Sequence, residues 1–179
     1  MKKVLLIILL IFSFIRCGEE NLKPEIDTNE SKDMPVQESW NSKIIFSQDG
    51  RIKAVLFTKH LEIFEDKNET LLKDIKIEFY DSNNVKSTTL TALKGRVEDL
   101  TKNMYAIENV IVANDSGVVL KTQELMWRNL DEKIISDKFV RIVSNEEIIE
   151  GYGLVSDQHL KNYVIKRITY SAIKATNEK

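Results

Sequence analysis

Few side chains here are equipped for covalent or metal chemistry: two histidines, His60 and His159, and one cysteine, Cys17. A transition-metal site needs several His, Cys or carboxylate ligands at close spacing, and a nucleophilic site needs Ser or Cys beside a histidine base held by a third group. Neither pattern occurs, and no glycine-rich phosphate loop is found. The nearest approach to an acid–base pair is Asp157-x-His159, a local pair on a predicted turn, which is the usual make-up of a solvated surface. Glu146, Glu147 and Glu150 form a charged stretch that also reads as a solvated turn. The residue types point away from an enzyme, and they call for no metal or other cofactor.

Cys17 has a different context. Lys2 and Lys3 precede an apolar run from Val4 to Ile15, broken by one serine. As a helix that run would cover about 18 Å, against roughly 30 Å of bilayer hydrocarbon, so it is too short to span. Residues 1–16 read as a secretion signal. Cys17 follows at once, before the abruptly polar Gly18-Glu19-Glu20-Asn21. This placement resembles a lipobox, in which the cysteine becomes the first mature residue and carries acyl chains, although Arg16 stands where a small residue is usual. The alternative is an uncleaved N-terminal anchor with an incidental cysteine. Either arrangement puts the rest of the chain outside the cytoplasm.

Loss of Lys2, Lys3 and Arg16 with the signal leaves 23 basic against 28 acidic side chains. With no basic stripe interleaved with aromatics, nothing attracts nucleic acid. Residues 17–38 hold both prolines, many charges and few large apolar groups, and read as a flexible tether. Residues 39–172 are then one domain with a core of ordinary size, followed by a polar tail over 173–179.

The elements within that domain are strands. Apolar residues alternate with polar ones in Ile75-Lys-Ile77-Glu-Phe79, Leu90-Thr-Ala92, Val110-Ile-Val112, Leu120-Lys-Thr122, Leu125-Met-Trp127 and Val140-Arg-Ile142. Turn residues stand between runs at Gln48-Asp49-Gly50, Asp81-Ser82-Asn83-Asn84 and Asn114-Asp115-Ser116-Gly117. No stretch sustains a helical period, which leaves room only for a short helix near Glu146 or in the tether. The domain is all-β and antiparallel.

An internal repeat is the most informative feature. Leu90, Ala92, Val97, Val110 and Val112 recur thirty positions later as Leu120, Thr122, Trp127, Val140 and Ile142. A degraded third copy, shifted by one, places Ile149, Gly151 and Leu154 where Leu120, Thr122 and Leu125 stand. A repeated strand unit buries its apolar face only by stacking on its neighbours. Two facing sheets built this way form a trough with a greasy interior, open at both ends and bounded by edge strands.

The order and spacing of several segments resemble the LptC family of lipopolysaccharide export. They begin at Trp40 and Ile44 to Ala54, and continue through Ile77 to Asp81, Leu90 to Gly95, Glu108 to Val112 and Gly117 to Trp127. They end with Ile135 to Asp137, Val140 and Ile149 to Asp157. Asn83-Asn84 replaces the family's usual turn glycine, and asparagine tolerates the same left-handed backbone. The resemblance implies an open, V-shaped, repeat-built β-jellyroll in the periplasm, anchored to a membrane, with the inner membrane favoured. It also implies a cargo, lipopolysaccharide, whose acyl chains slide along the apolar inner face. The candidates to line that groove are Ile77, Phe79, Leu90, Ala92, Val110, Val112, Leu120, Thr122, Leu125, Trp127, Val140 and Ile142. Ordinary core packing would select the same positions.

Partners follow from the edges. Unpaired strands offer backbone N–H and C=O groups for strand addition. The resemblance implies that Asn162 to Tyr170, with Tyr163, Ile165 and Ile168, pairs with the soluble bridge protein LptA. It implies that Trp40, Ile44 and Phe46 meet the periplasmic jellyroll of the inner-membrane ABC transporter LptB2FG. A solvated edge, or a terminal strand closing its own sheet, is the alternative for both. Gly151 and Gly153 are expected at bulges or bends where a side chain would clash. The competing functional reading is a structural or adhesive surface lipoprotein whose β repeats bind another protein; a weakly acting glycan hydrolase lacks the residues.

Overall fold

The computed structural model describes residues 34–174, and these contain nine strands and no helix. The strands are β1 (Gln37–Gln48), β2 (Arg51–Phe64), β3 (Glu69–Tyr80), β4 (Lys86–Glu98), β5 (Met104–Asn114), β6 (Val119–Arg128), β7 (Lys133–Val143), β8 (Glu147–Ser156) and β9 (Tyr163–Ile173). Each pairs antiparallel with its chain neighbours, so the sheet order is the sequence order and β1 and β9 are its edges. The architecture is an open β-jellyroll trough. The signal segment 1–16, Cys17, residues 17–33 of the tether and residues 175–179 of the tail lie outside the described residues.

The turn chemistry sets the hairpins. Gln48 pairs with Arg51, and both residues between them are left-handed, Asp49 at φ 52° and Gly50 at φ 73°. That geometry matches the right-handed twist of the flanking strands. Asn84 takes φ 60° after β3, where Asp81 Oδ1 accepts the N–H groups of Asn83 and Val85. Gly117 takes φ 84° after β5, and Asn114 Oδ1 accepts the Val118 N–H. No helix forms near Glu146, which sits in the tight β7–β8 turn. The charged stretch is a turn only at that first residue. Glu147 and Glu150 belong to β8, where Glu150 pairs with Arg141 at 3.0 Å, because the turn needs only Ser144 to Glu146.

The trough arises from one crease. Regular pairing lapses near the middle of the strands: at Asn41 opposite Lys59, at Asp74 between Lys59 and Leu93, then around Glu108-Asn109, Gln123, Asp137-Lys138 and Gly153, and in β9 at both Lys166 and Thr169. Asn41, Asp74, Glu108, Asn109 and Gly153 have positive φ there, the backbone state that bends a strand. Inward alternation slips at the same line. The step between buried residues is three, not two, from Thr58 to Leu61, Leu72 to Ile75, Ala92 to Gly95, Thr122 to Leu125 and Gly151 to Leu154. An extra residue absorbed at the bend keeps both halves of a strand facing one interior.

The two facing sheets are therefore halves of a single sheet folded on itself. Layer 1 carries the β3–β4 and β5–β6 turns; layer 2 carries the β2–β3 turn and the β8–β9 loop. The thirty-residue repeat is one hairpin, two creased strands. Backbone carbonyls that lose ladder partners at the crease are taken up by buried hydroxyls. Thr58 Oγ1 lies 2.8 Å from the Lys73 carbonyl, Thr122 donates to Phe139 at 2.8 Å, and Ser136 donates to Glu124 at 2.7 Å.

Candidate functional site: the slot between the layers

The interior is one apolar cluster contributed by both layers. Its centre is sealed: Leu120, Val140, Ile142 and Leu154 have 0% of their surface exposed, and Val110, Val112 and Leu125 are nearly as enclosed. Leu90, Ala92 and Thr122 are also buried. Three of the candidate groove residues, Ile77, Phe79 and Trp127, are only partly buried and pack against the margin of this cluster, in company with Ile44, Ile63, Val97, Tyr163 and Ile165. The slot is thus dry and filled in the middle and lined by half-covered apolar groups around its rim. The Thr122 hydroxyl is committed to the crease, so that side chain offers the slot only its methyl group.

At the C-terminal end a cleft of ≈ 670 Å³ opens beside β8 and β9, lined by Ile149, Val155, Tyr163 and Val164 with Lys133, Lys161 and Glu147. Tyr163 starts β9 in layer 2 and Glu147 starts β8 in layer 1, yet the phenol donates to Glu147 Oε1 at 3.1 Å. Burial first, then this hydrogen bond and the nearby negative charge, push the Tyr163 phenol above its ordinary pKa.

Both edges carry uncovered apolar side chains. On β1 these are Trp40, Ile45 and Phe46, with Trp40 stacked on His60 at 5.1 Å between ring centres. On β9 they are Val164, Ile168, Tyr170 and Ile173. The glycines of β8 permit close approach at this end of the sheet. A Cβ on Gly151 would stand 2.3 Å from the Arg167 carbonyl oxygen, and Gly153 takes φ +77° at the crease.

Asp157 and His159 do not form an acid–base pair. The Asp157 carboxylate accepts the N–H groups of His159, Lys161 and Asn162 and the Asn162 side-chain amide, while the His159 ring faces Ser87 and Gln158. Among the described residues one trio, Glu38, His60 and Glu62, brings ligand atoms within 4.8 Å of one another. The Lys73 ammonium lies 3.3 Å from both His60 Nδ1 and Glu62 Oε2, so the trio already holds a positive charge. Glu38 comes from β1 and both His60 and Glu62 from β2, so the chain shows only the His60-x-Glu62 part of the trio.

Over residues 4–169 the chain matches the family described as lipopolysaccharide-assembly, LptC-related. The chain belongs to the LptC family. LptC proteins are transport components of lipopolysaccharide export, not enzymes; they lie in the periplasm in association with the inner membrane and work with LptB2FG and LptA-type partners. A role in lipopolysaccharide transport follows for this LptC chain. It matches no individual curated protein. Among the described residues no helix is long and apolar enough to cross a membrane.

One contributor to the interior escaped the sequence reading. Leu160, in the polar loop between β8 and β9, is 1% exposed and belongs to the buried cluster. A single leucine among Asp157, Gln158, His159, Lys161 and Asn162 has no period to announce it.

Proposed function

We propose that this LptC chain receives lipopolysaccharide from LptB2FG at its β1 edge, carries the acyl chains between its layers, and passes them to an LptA-type bridge protein at its β9 edge. The single observation that supports this most is the continuity of the interior. One apolar cluster runs from the margin beside β1 (Ile44, Ile63) to the margin beside β9 (Tyr163, Ile165), between two strands that each have only one partner. A neighbouring jellyroll added to either edge would lengthen both the sheet and the greasy interior. In this reading Trp40, Ile44 and Phe46 form the receiving edge, and Tyr163, Ile165 and Ile168 the delivering one.

Because the centre is filled by its own side chains, cargo enters by parting the layers from the rim inward. Each acyl methylene kept out of water between the layers is worth about 0.8 kcal/mol of transfer free energy, which offsets the cost of parting them. The crease suits this motion, since the two layers are joined along one line and by few bonds at their far rims. Cys17, acylated after removal of residues 1–16, would hold the domain to the membrane through the residues that precede β1, with the strands from Gln37 to Ile173 as the working domain.

The sealed centre would equally suit an adhesive lipoprotein, and site-specific photocrosslinking in cells separates the two. Crosslinkers at Phe79 and Trp127 are expected to capture lipopolysaccharide, with less capture at the deeper Leu120 and none at Ile111, which alternates outward between Val110 and Val112. Capture at Phe79 and Trp127 no greater than at Ile111 would overturn the transport reading.

A further inference from the structure

We propose that the β8–β9 loop, residues 157–162, is a displaceable plug whose Leu160 side chain occupies a place in the slot that one acyl chain of the cargo takes. The inference rests on the transport reading and adds to it how the slot is kept closed. The loop hangs from layer 2, at the end of β8, yet it is fastened to the far rim of layer 1. The Asn114 side-chain amide donates to the His159 carbonyl at 3.1 Å, and Ser87 Oγ lies 3.3 Å from His159 Nδ1. Ser87 is at the start of β4 and Asn114 at the end of β5, so the loop crosses the open side of the trough opposite the crease.

Beneath that crossing, Leu160 is enclosed among the apolar residues of both layers. Its backbone is left-handed at φ 55°, and among the described residues it is the only apolar side chain, glycine aside, in that conformation. A leucine held there is strained, and such strain persists only where the surroundings impose it. Here the loop's own turn imposes it: the Leu160 N–H donates to the Asp157 carbonyl at 3.2 Å, as the Asn84 N–H donates to the Asp81 carbonyl in the β3–β4 turn, where Asn84 is left-handed too.

The loop can leave as a body. Asp157 gathers the N–H groups of His159, Lys161 and Asn162 at 2.9–3.0 Å, all within the loop, and none of these bonds reaches layer 1. Its hydrogen bonds to layer 1 are two, both at His159 in its middle, and Asp81 of the β3–β4 turn adds an electrostatic attraction to Lys161. The adjoining cleft of ≈ 670 Å³ includes Lys161 and Asn162 in its wall, which gives an incoming chain access beside the plug. A leucine side chain is a short branched hydrocarbon, and its departure leaves an apolar vacancy that an acyl methylene run satisfies and water does not.

The test uses the full chain carrying Cys17→Ser, Ser87→Cys and His159→Cys. Oxidation ties the loop to layer 1 and reduction frees it, so each protein serves as its own control. With fluorescently labelled lipopolysaccharide as probe, the oxidised form should bind about tenfold or more weakly than the reduced form, as expected when the competent state is suppressed. Leu160→Ala should bind more tightly than the parent sequence. In the parent sequence without lipid, the Leu160 and Lys161 amides should exchange about a hundredfold faster than those of Val112 and Ile142, through local opening. Equal binding by oxidised and reduced forms, or loop amides exchanging no faster than Val112, would overturn the plug. Absence of binding in both forms overturns the transport reading itself, a different result from binding that is indifferent to the tether.

Discussion

The Tyr163 hydroxyl reaches across the slot to Glu147 Oε1 and joins layer 2 to layer 1 at the C-terminal mouth, 3.1 Å from donor to acceptor. It is a side-chain bond between layers whose backbones are continuous only at the crease. The mouth is therefore held by chemistry that single substitutions can remove.

Tyr163→Phe should cost about 0.5–1.5 kcal/mol in urea unfolding at neutral pH, the ordinary worth of one such bond. Its pH dependence has a definite sign. The folded phenol sits above its unfolded value of about 10, so its stabilisation is complete below that value and is lost as pH rises through the folded one. The stability gap between parent and variant should therefore close in alkaline solution. A gap that stays constant from pH 8 to 11 would contradict the assignment.

Acid should act on the β8–β9 loop in the opposite sense. Burial pushes the Asp157 carboxyl up, but the N–H groups of Lys161, Asn162 and His159 and the Asn162 amide outweigh it and hold the pKa below the usual range. The contribution is present above an unfolded value of about 3.9 and disappears as pH falls through the folded value. Asp157→Ala should lower the melting temperature at pH 7 and have little effect at the lowest pH at which the protein still folds.

Gly151→Ala places a methyl carbon 2.3 Å from the Arg167 carbonyl oxygen and 2.8 Å from Ile165 Cγ2. Backbone cannot yield as a side chain does, so β9 must move off β8, at a cost of roughly 1–3 kcal/mol or more. Calorimetry should show the loss, and amide exchange should place it in β9 before β2 or β3. Gly50→Ala meets open space and suffers only from its φ of 73°, so its loss should be the smaller.

Depth in the slot should divide stability from cargo contact. Leu120→Ala removes a side chain with no exposed surface and is expected to cost roughly 2–5 kcal/mol. Phe79→Ala, at the half-covered rim, should cost less in denaturant and more in lipopolysaccharide capture. The reverse ranking would place the cargo path elsewhere.

The fold was legible where local chemistry dictates it. Asp49-Gly50 can hardly be anything but a hairpin turn, and the recurrence of Leu90-x-Ala92 as Leu120-x-Thr122 states the two-strand unit directly. The crease was written less plainly. Leu120-Lys-Thr122 and Leu125-Met-Trp127 read as separate runs because the alternation slips between them, yet both lie in β6. A slip of one residue marks a turn or a bend equally well, and only pairing with β5 and β7 decides which. Depth was beyond reach for a related reason: Phe79 and Val140 satisfy the same alternation, and their different exposure comes from their place across the sheet. Leu160 could not be foreseen, since the apolar cluster that encloses it is drawn from strands far away in the chain.

The sheet order has a consequence for how an exported chain is made. No strand waits for a partner that lies distant in the sequence, so a polypeptide arriving end first from a secretion pore could zip each hairpin onto the last as it emerges. Among the side-chain hydrogen bonds of the described residues, the longest reach along the chain is left to the final loop, whose His159 meets Ser87 on the rim of β4.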